Sequence, residues 1–289
     1  MSEEYRDLLN RIQNYYPEMS KGQKLIADYI FDNYDKVAFM TASALGKTVN
    51  VSESTVVRFA NALGYDGYPV LQKALQESIK TKLTTVQRFG LSEDIAGNER
   101  NLLRKVMHSD IDNIRKTSDE LDPDLLEQAV HKIRTGRRIY ILGLRSSKVL
   151  AEYLGFYLNF IMDDVHVIPS GASDILDKLV KINHEDVLIT ISFPRYSRKT
   201  FDVVKYAKAQ GATLIGITDS MMSPLASLVH YTLTAKYNMT TFIDSLVAPM
   251  SLINALIIAL SLNEKEKLKA TFDQLERLWE ENEVYSKPK

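Results

Sequence analysis

The sequence predicts an all-α N-terminal domain holding a helix-turn-helix, followed by an α/β domain with a five-stranded parallel sheet wound by helices on both faces. Three observations carry this. The chain has 289 residues, 45% of them hydrophobic, which is long for one domain and comfortable for two. From Met1 to about Lys80 the apolar spacing is helical, with Pro and Gly at element ends and no alternating strand. After Pro123 short β-branched runs alternate with helical periods, the pattern of parallel strands joined by crossover helices.

The expected organisation is a helical domain over 1–80, a linker with a connecting helix over 81–121, a sheet domain over 122–263 and a C-terminal amphipathic helix over 264–289. The polar linker holds a loop around Gly90 to Gly97 and a helix from Asn98 to Lys116. The strands are "RRIYILG", "DVHVIP", "DVLITISF", "ATLIGIT" and "VHYTLTA". A sheet of this kind collects ligands at the carboxyl ends of its strands, which directs attention to the loops after Ile141, Ile191 and Ile217.

Composition narrows the chemistry. With no cysteine, disulfides, thiolate metal sites and cysteine nucleophiles are excluded. The charged start "MSEEYRDLLNRIQNYYPEMS" lacks the basic end and apolar core of a signal peptide, so a cytoplasmic protein is expected. The longest apolar stretch, Ser245 to Leu262, is broken by Pro249 and Asn254 and reads as a buried or dimer-interface helix rather than a membrane span. His108, His131, His166, His184 and His230 show no paired spacing for metal or catalysis, and neither metal nor cofactor is expected.

In "MTASALGKTVNVSESTVVRFANALGYDGY" two short helices meet across a tight turn. Leu45 and Val49 face inward, Asn50 occupies the turn, and Ser52 caps the next helix. Val56, Phe59 and Leu63 fall on one stripe, leaving Ser54, Thr55 and Arg58 on the other side near the helix start. A DNA-recognition helix needs that disposition, since its N-terminal residues meet base edges while hydroxyls and amides grip phosphates. Lys47, Ser52, Ser54, Thr55, Arg58 and Lys73 are the candidate DNA contacts. The bland alternative is a wet helical hairpin, and residues 1–80 carry nine Lys and Arg against ten Asp and Glu, no strong electrostatic advertisement.

From Ser20 to about Leu75, with "SKGQKLIADYIFDNY" and "VSESTVVRFANALGYDGYPVLQKAL", the text resembles the N-terminal domain of RpiR-type bacterial transcriptional regulators. Gly46 stands where such regulators usually carry Ala, and Asn50 where the turn usually has Gly. The resemblance implies a sugar-isomerase (SIS) domain of flavodoxin-like winding after the helical one, and residues from about Leu125 to Leu262 are similar to it.

Two loops then carry the candidate effector site. In "ILGLRSSKVLAEYLGFYL", Ser146 and Ser147 sit where amides and hydroxyls at a helix start receive an anion, and Arg145 adds a bidentate donor; an ordinary turn with a serine cap is the alternative. The resemblance implies that the third strand ends in Ser-x-Ser-Gly-x-Thr followed, one residue on, by an acid, with the hydroxyls holding a sugar phosphate. In "ISFPRYSRKT", Ser192 matches the first serine and Ser197 the threonine, while Pro194, Arg195 and Lys199 replace the second serine, the glycine and the acid. Arg195 makes the cradle cationic, unless Arg195, Arg198 and Lys199 are a solvated helix cap.

Isomerisation needs a base near the sugar carbon, and Lys199 stands where an acid is expected, so binding is favoured over turnover; Asp174 and Asp219 are the remaining lone acids. The reading is a ligand-responsive, DNA-binding regulator of carbohydrate-related metabolism, repressor or activator, acting as a homodimer or homotetramer on operator DNA and sensing a phosphosugar or similar small anion. The alternatives are a phosphosugar isomerase-like enzyme with a helical assembly domain and a non-DNA scaffold.

Overall fold

The structure is a computed structural model and describes residues 8, 11–79, 99–169, 175–237, 243–262 and 264–285. It divides into two compact units, residues 1–97 and 98–289. The expected loop from Gly90 to Gly97 and the acid Asp174 lie outside the described residues.

The first unit is helical throughout its described length: α1 (Lys21–Val37), α2 (Ala42–Thr48), α3 (Glu53–Ala62) and α4 (Tyr68–Ile79), preceded by a short 3-10 turn (Tyr16–Glu18). Each start has a local cause. Ser20 and Gln23 form a reciprocal capping box at α1, and the Thr41 and Ser52 hydroxyls accept from backbone amides three residues on, at α2 and α3. Ile26, Ile30, Leu45, Val56, Phe59, Leu71 and Leu75 are fully buried and form its core.

The far end of α1 is tied down from α4. The Tyr68 hydroxyl donates to the carbonyls of Val37 (3.2 Å) and Met40 (2.9 Å), the Gln72 amide to Met40 (2.9 Å), and the Gln76 amide to Ala38 (2.8 Å). A helix leaves its last carbonyls unpaired, and these three donors satisfy that end. Burial pushes the Tyr68 hydroxyl well above the usual phenol range, so it stays a donor.

The second unit opens with α5 (Glu99–Glu120) and α6 (Pro123–Thr135), the latter capped by Asp122. Then come β1 (Ile139–Gly143), α7 (Ser147–Ile161), β2 (Val165–Val167), a 3-10 turn (Leu176–Leu179), β3 (Val187–Ile191), α8 (Arg198–Ala209), β4 (Thr213–Thr218), β5 (Tyr231–Thr234), α9 (Val247–Leu262) and α10 (Lys265–Glu281). The five strands pair in parallel in the order β2-β1-β3-β4-β5. This doubly wound order reverses direction between β1 and β3, where the crevice of such sheets lies.

Strand alternation builds two cores. Ile139, Ile141, Val187, Ile189, Ile191, Ile215 and Ile217 face α6, α7 and α9, whereas Tyr140, Leu142, Leu188 and Leu214 face α8 and the 3-10 turn. Burial on both faces explains why the strands read as continuous apolar runs. The apolar stretch from Ser245 supplies α9, whose Leu252, Ile253, Leu256, Ile257 and Leu260 fill the first of these cores. Among the described residues no single helix is long and apolar enough to cross a membrane.

The connecting helix packs within this second unit: Thr117 accepts from the amide of Lys236, and Ser245 donates to Asp110. At the amino ends of the strands, Arg137 grips the fully buried Asp186 with two bonds of 3.0 and 2.9 Å, and Asp186 also accepts from the Asn183 amide.

Candidate functional site

At the carboxyl ends of β1 and β3 a cavity opens, lined by Leu144, Arg145, Ser146, Ser147, Ser192, Phe193, Pro194, Arg195, Ser197 and Asp244. Counting the open solvent at its mouth it encloses about 580 Å³. The structure thus brings Arg145, Ser146, Ser147, Ser192, Arg195 and Ser197 together on one surface, although nearly fifty residues separate the two loops.

The first loop exists because Gly143 ends β1. A Cβ there would lie 2.3 Å from the carbonyl oxygen of Ser147 and 2.8 Å from the Ala151 Cβ, so only glycine lets α7 start this close to the strand. The chain then turns through Arg145 at φ 57°, in the left-handed region. The amides of Ser147 and Lys148 donate to the carbonyls of Leu144 (3.2 Å) and Arg145 (3.1 Å). Those two helix-start amides are therefore engaged in the turn itself. Ser146 makes no capping bond to α7; its hydroxyl donates instead to Asp244 at 3.1 Å.

The second loop follows the same plan. Arg195 also sits in left-handed backbone, at φ 68°, which accounts for the glycine common at this position in similar proteins. Such a conformation costs a residue with a Cβ roughly 1–2 kcal/mol. Two non-glycine residues held there, both arginines on one cavity rim, are a concentration of strain typical of a working site.

The second loop is pinned from next door. Tyr196 donates to Asp219 at 2.7 Å, and Thr218 to the same carboxylate at 3.1 Å. Burial, followed by the Asp219 charge, pushes the Tyr196 hydroxyl well above its ordinary range. The loop after β4 accordingly buttresses the site without lining it, and Asp219 is engaged in that buttress.

Of the second loop's three cations, Arg198 and Lys199 are exposed in the first turn of α8 and are not among the cavity-lining residues, which leaves Arg195 beside Arg145 among the described residues. The position where Lys199 replaces an acid therefore says little about the cavity, and an acid does arrive from elsewhere: Asp244, ahead of α9. No motif marks it, and it lies 98 residues from its partner Ser146. Among the described residues no cluster of His, Asp and Glu is arranged to hold a metal ion.

In the first unit the turn between α2 and α3 has Asn50 at φ 57°, and the Val51 amide donates to the Gly46 carbonyl at 2.8 Å. A Cβ on Gly46 would meet the Val51 oxygen at 2.8 Å, so the glycine here permits the close approach of the turn. At the start of α3 the Ser52 hydroxyl accepts from the Thr55 amide (3.3 Å) and lies 2.9 Å from the Ser54 hydroxyl and 2.8 Å from that of Thr55. Arg58 donates back to the Ser54 carbonyl at 3.3 Å.

Ser52, Ser54 and Arg58 are exposed while Val56, Phe59 and Ala60 are buried on the opposite side. Lys47 is exposed in the last turn of α2, and Lys73 is exposed on α4, outside the turn.

Comparison with known proteins matches both units. A helix-turn-helix domain of the rpiR family matches residues 6–82, and a SIS domain matches residues 132–259. An HTH-type transcriptional regulator of Haemophilus influenzae is 29% identical over 229 residues, 78% of this chain and 79% of that protein. The sugar isomerase domain of an RpiR transcription factor from Sphaerobacter thermophilus aligns with 61% of this chain and 98% of its own, at 27% identity and a TM-score of 0.59.

The NanR protein of Vibrio vulnificus, solved in complex with ManNAc-6P, shares the fold over 97% of this chain and all of its own, at 20% identity and a TM-score of 0.57. With a helix-turn-helix of the rpiR family at residues 6–82, a SIS domain at residues 132–259 and an HTH-type regulator similar across most of both chains, the protein has the domain composition of RpiR-type DNA-binding transcriptional regulators.

Proposed function

We propose that this regulator reads a roughly palindromic operator with the start of α3 and holds the phosphate of a phosphosugar-type effector in the cavity at the carboxyl edge of the sheet. Lys47, Ser52, Ser54, Thr55, Arg58 and Lys73 are the DNA contacts, and Arg145, Ser146, Ser147, Ser192, Arg195 and Ser197 the effector contacts. The observation that carries the effector half is the convergence of two left-handed arginines and four serines on one cavity at the switch point.

Guanidinium groups and hydroxyls are the donors that bind phosphate well, and charge-assisted bonds are the stronger ones. The phosphosugar in NanR, which shares the fold, makes that ligand class the first to test. The protein is read as a cytoplasmic homodimer or homotetramer that binds its effector without transforming it.

Thermal-shift screening against phosphorylated sugars and sugar acids tests the effector half, because a ligand that binds only the folded state raises its melting temperature by mass action. A hit whose shift vanishes in Arg145→Ala supports the assignment; hits that Arg145→Ala and Arg195→Ala bind as well as the parent would move the site elsewhere. Arg58→Ala is expected to abolish operator binding with the melting curve unchanged. One observation favours a second reading, an isomerase: the Asp244 carboxylate lines the cavity and is a possible base. Incubation with aldose and ketose phosphates decides it, with no interconversion expected.

A further inference from the structure

Among the described residues Asp244 is the one acid lining a cavity otherwise supplied with arginines and hydroxyls, and its carboxylate accepts from the Ser146 hydroxyl at 3.1 Å. A carboxylate among phosphate-type donors is a poor neighbour for an incoming dianion, since like charges at close range repel. It is, however, a good occupant of the same donors while no ligand is present. The next residue faces another way: the Ser245 hydroxyl donates to Asp110 on α5 at 2.5 Å.

One turn further along that helix, Asn113 is 1% exposed, and neither polar atom of its amide has a hydrogen-bond partner among the described residues. Thr117, one turn on again, holds the Lys236 amide. This face of α5 therefore combines a short bond to Ser245 with a buried amide that has no partner among the described residues, and such a group costs about 1–3 kcal/mol where it stays unpaired.

We propose that Asp244 is a resident anion of the effector cavity: it engages the donors that a phosphate group takes over, and effector binding displaces it, moving Ser245 and with it the Asp110 to Thr117 face of α5. The inference rests on the effector reading above and adds to it the group that competes with the ligand. Affinity is then set by a difference, the phosphate gained against the carboxylate expelled. The signal leaves the cavity through two consecutive residues, 244 and 245, to the helix that opens the second unit.

The test uses the full-length chain, Asp244→Asn and inorganic phosphate, with glucose 6-phosphate as a second probe, by isothermal titration. Asparagine keeps an acceptor for Ser146 and removes only the charge, so the fold is expected to survive, checked by the melting curve. The expected result is phosphate affinity about tenfold or more above the parent's. Equal or weaker binding by Asp244→Asn, while the parent binds, overturns this inference and leaves the effector site standing.

Absence of binding in both proteins to either probe overturns the two together. Hydrogen exchange supplies the second readout: added phosphate is expected to change exchange of the amides from Asp110 to Thr117 in the parent and not in Ser245→Ala. An α5 that ignores phosphate in the parent, or responds equally in Ser245→Ala, overturns the route.

Discussion

At the scale of single residues, the cavity rim carries backbone strain that glycine would relieve. Arg195 in left-handed backbone is the clearest instance. Arg195→Gly is expected to raise the stability of the sheet unit by about 1 kcal/mol, since glycine adopts this conformation without the Cβ clash. The same substitution is expected to weaken effector binding roughly tenfold or more, through the lost charge-assisted bond. Urea unfolding and titration on one preparation check both signs.

A second residue-scale expectation concerns acid. Burial first, then the charges of Lys208 and Lys132, hold His230 below its ordinary 6.5, and its Nδ1 accepts from the Leu214 amide at 2.9 Å. The unfolded chain therefore binds the proton more readily than the folded one. Stability from this group is complete above 6.5 and declines as pH falls toward the lowered folded value. Melting curves at descending pH are expected to show a small loss in the parent that His230→Asn, which keeps an acceptor, reduces.

At the scale of elements, the turn between α2 and α3 and the tie from α4 to α1 decide whether the DNA-reading surface holds its shape. A β-branched side chain at φ 57° is strongly disfavoured, so Asn50→Val is expected to cost the helical unit about 1–2 kcal/mol and to weaken operator binding through the displaced start of α3. Tyr68→Phe removes two donated bonds while keeping the ring, and a loss of about 1 kcal/mol is expected in chemical denaturation.

Elements were also what the sequence made legible. All five strands fall inside the β-branched runs; β1, β3 and β4 are buried along nearly their whole length, and strands buried on both faces read as largely apolar runs. The apolar stretch from Ser245 was ambiguous between core and dimer contact, since periodicity does not say what covers a face; α9 fills the core, although Ile258 and Leu262 remain exposed. The six effector candidates were readable because each loop sits at a strand-to-helix junction. Asp244 was not, because a residue that reaches a site from a segment far along the chain leaves no local pattern. Nor could the sequence show that the Ser147 and Lys148 amides turn inward to Leu144 and Arg145.

At the scale of the whole molecule, regulation is a coupling between two binding equilibria. An effector changes operator affinity only by preferring one of two arrangements, and the operator must then change effector affinity by the same factor. Titrating each ligand with and without the other is expected to close that cycle. The first domain has no large positive charge, so operator binding is expected to depend on local contacts, with Arg58 the proposed one. Its affinity is still expected to fall linearly with salt on logarithmic axes, and Arg58→Lys, if it binds, to keep a slope that Arg58→Ala reduces by about one counterion.

The sheet also separates its duties along the strand axis. The Arg137 grip on buried Asp186 lies at the amino ends, and the cavity lies at the carboxyl ends. Residues around the mouth can consequently drift toward a new metabolite, as Pro194 and Arg195 differ from the usual text, while the opposite end keeps the strands in register. Single substitutions on the rim are therefore expected to alter ligand preference while the sheet's melting temperature stays near the parent's.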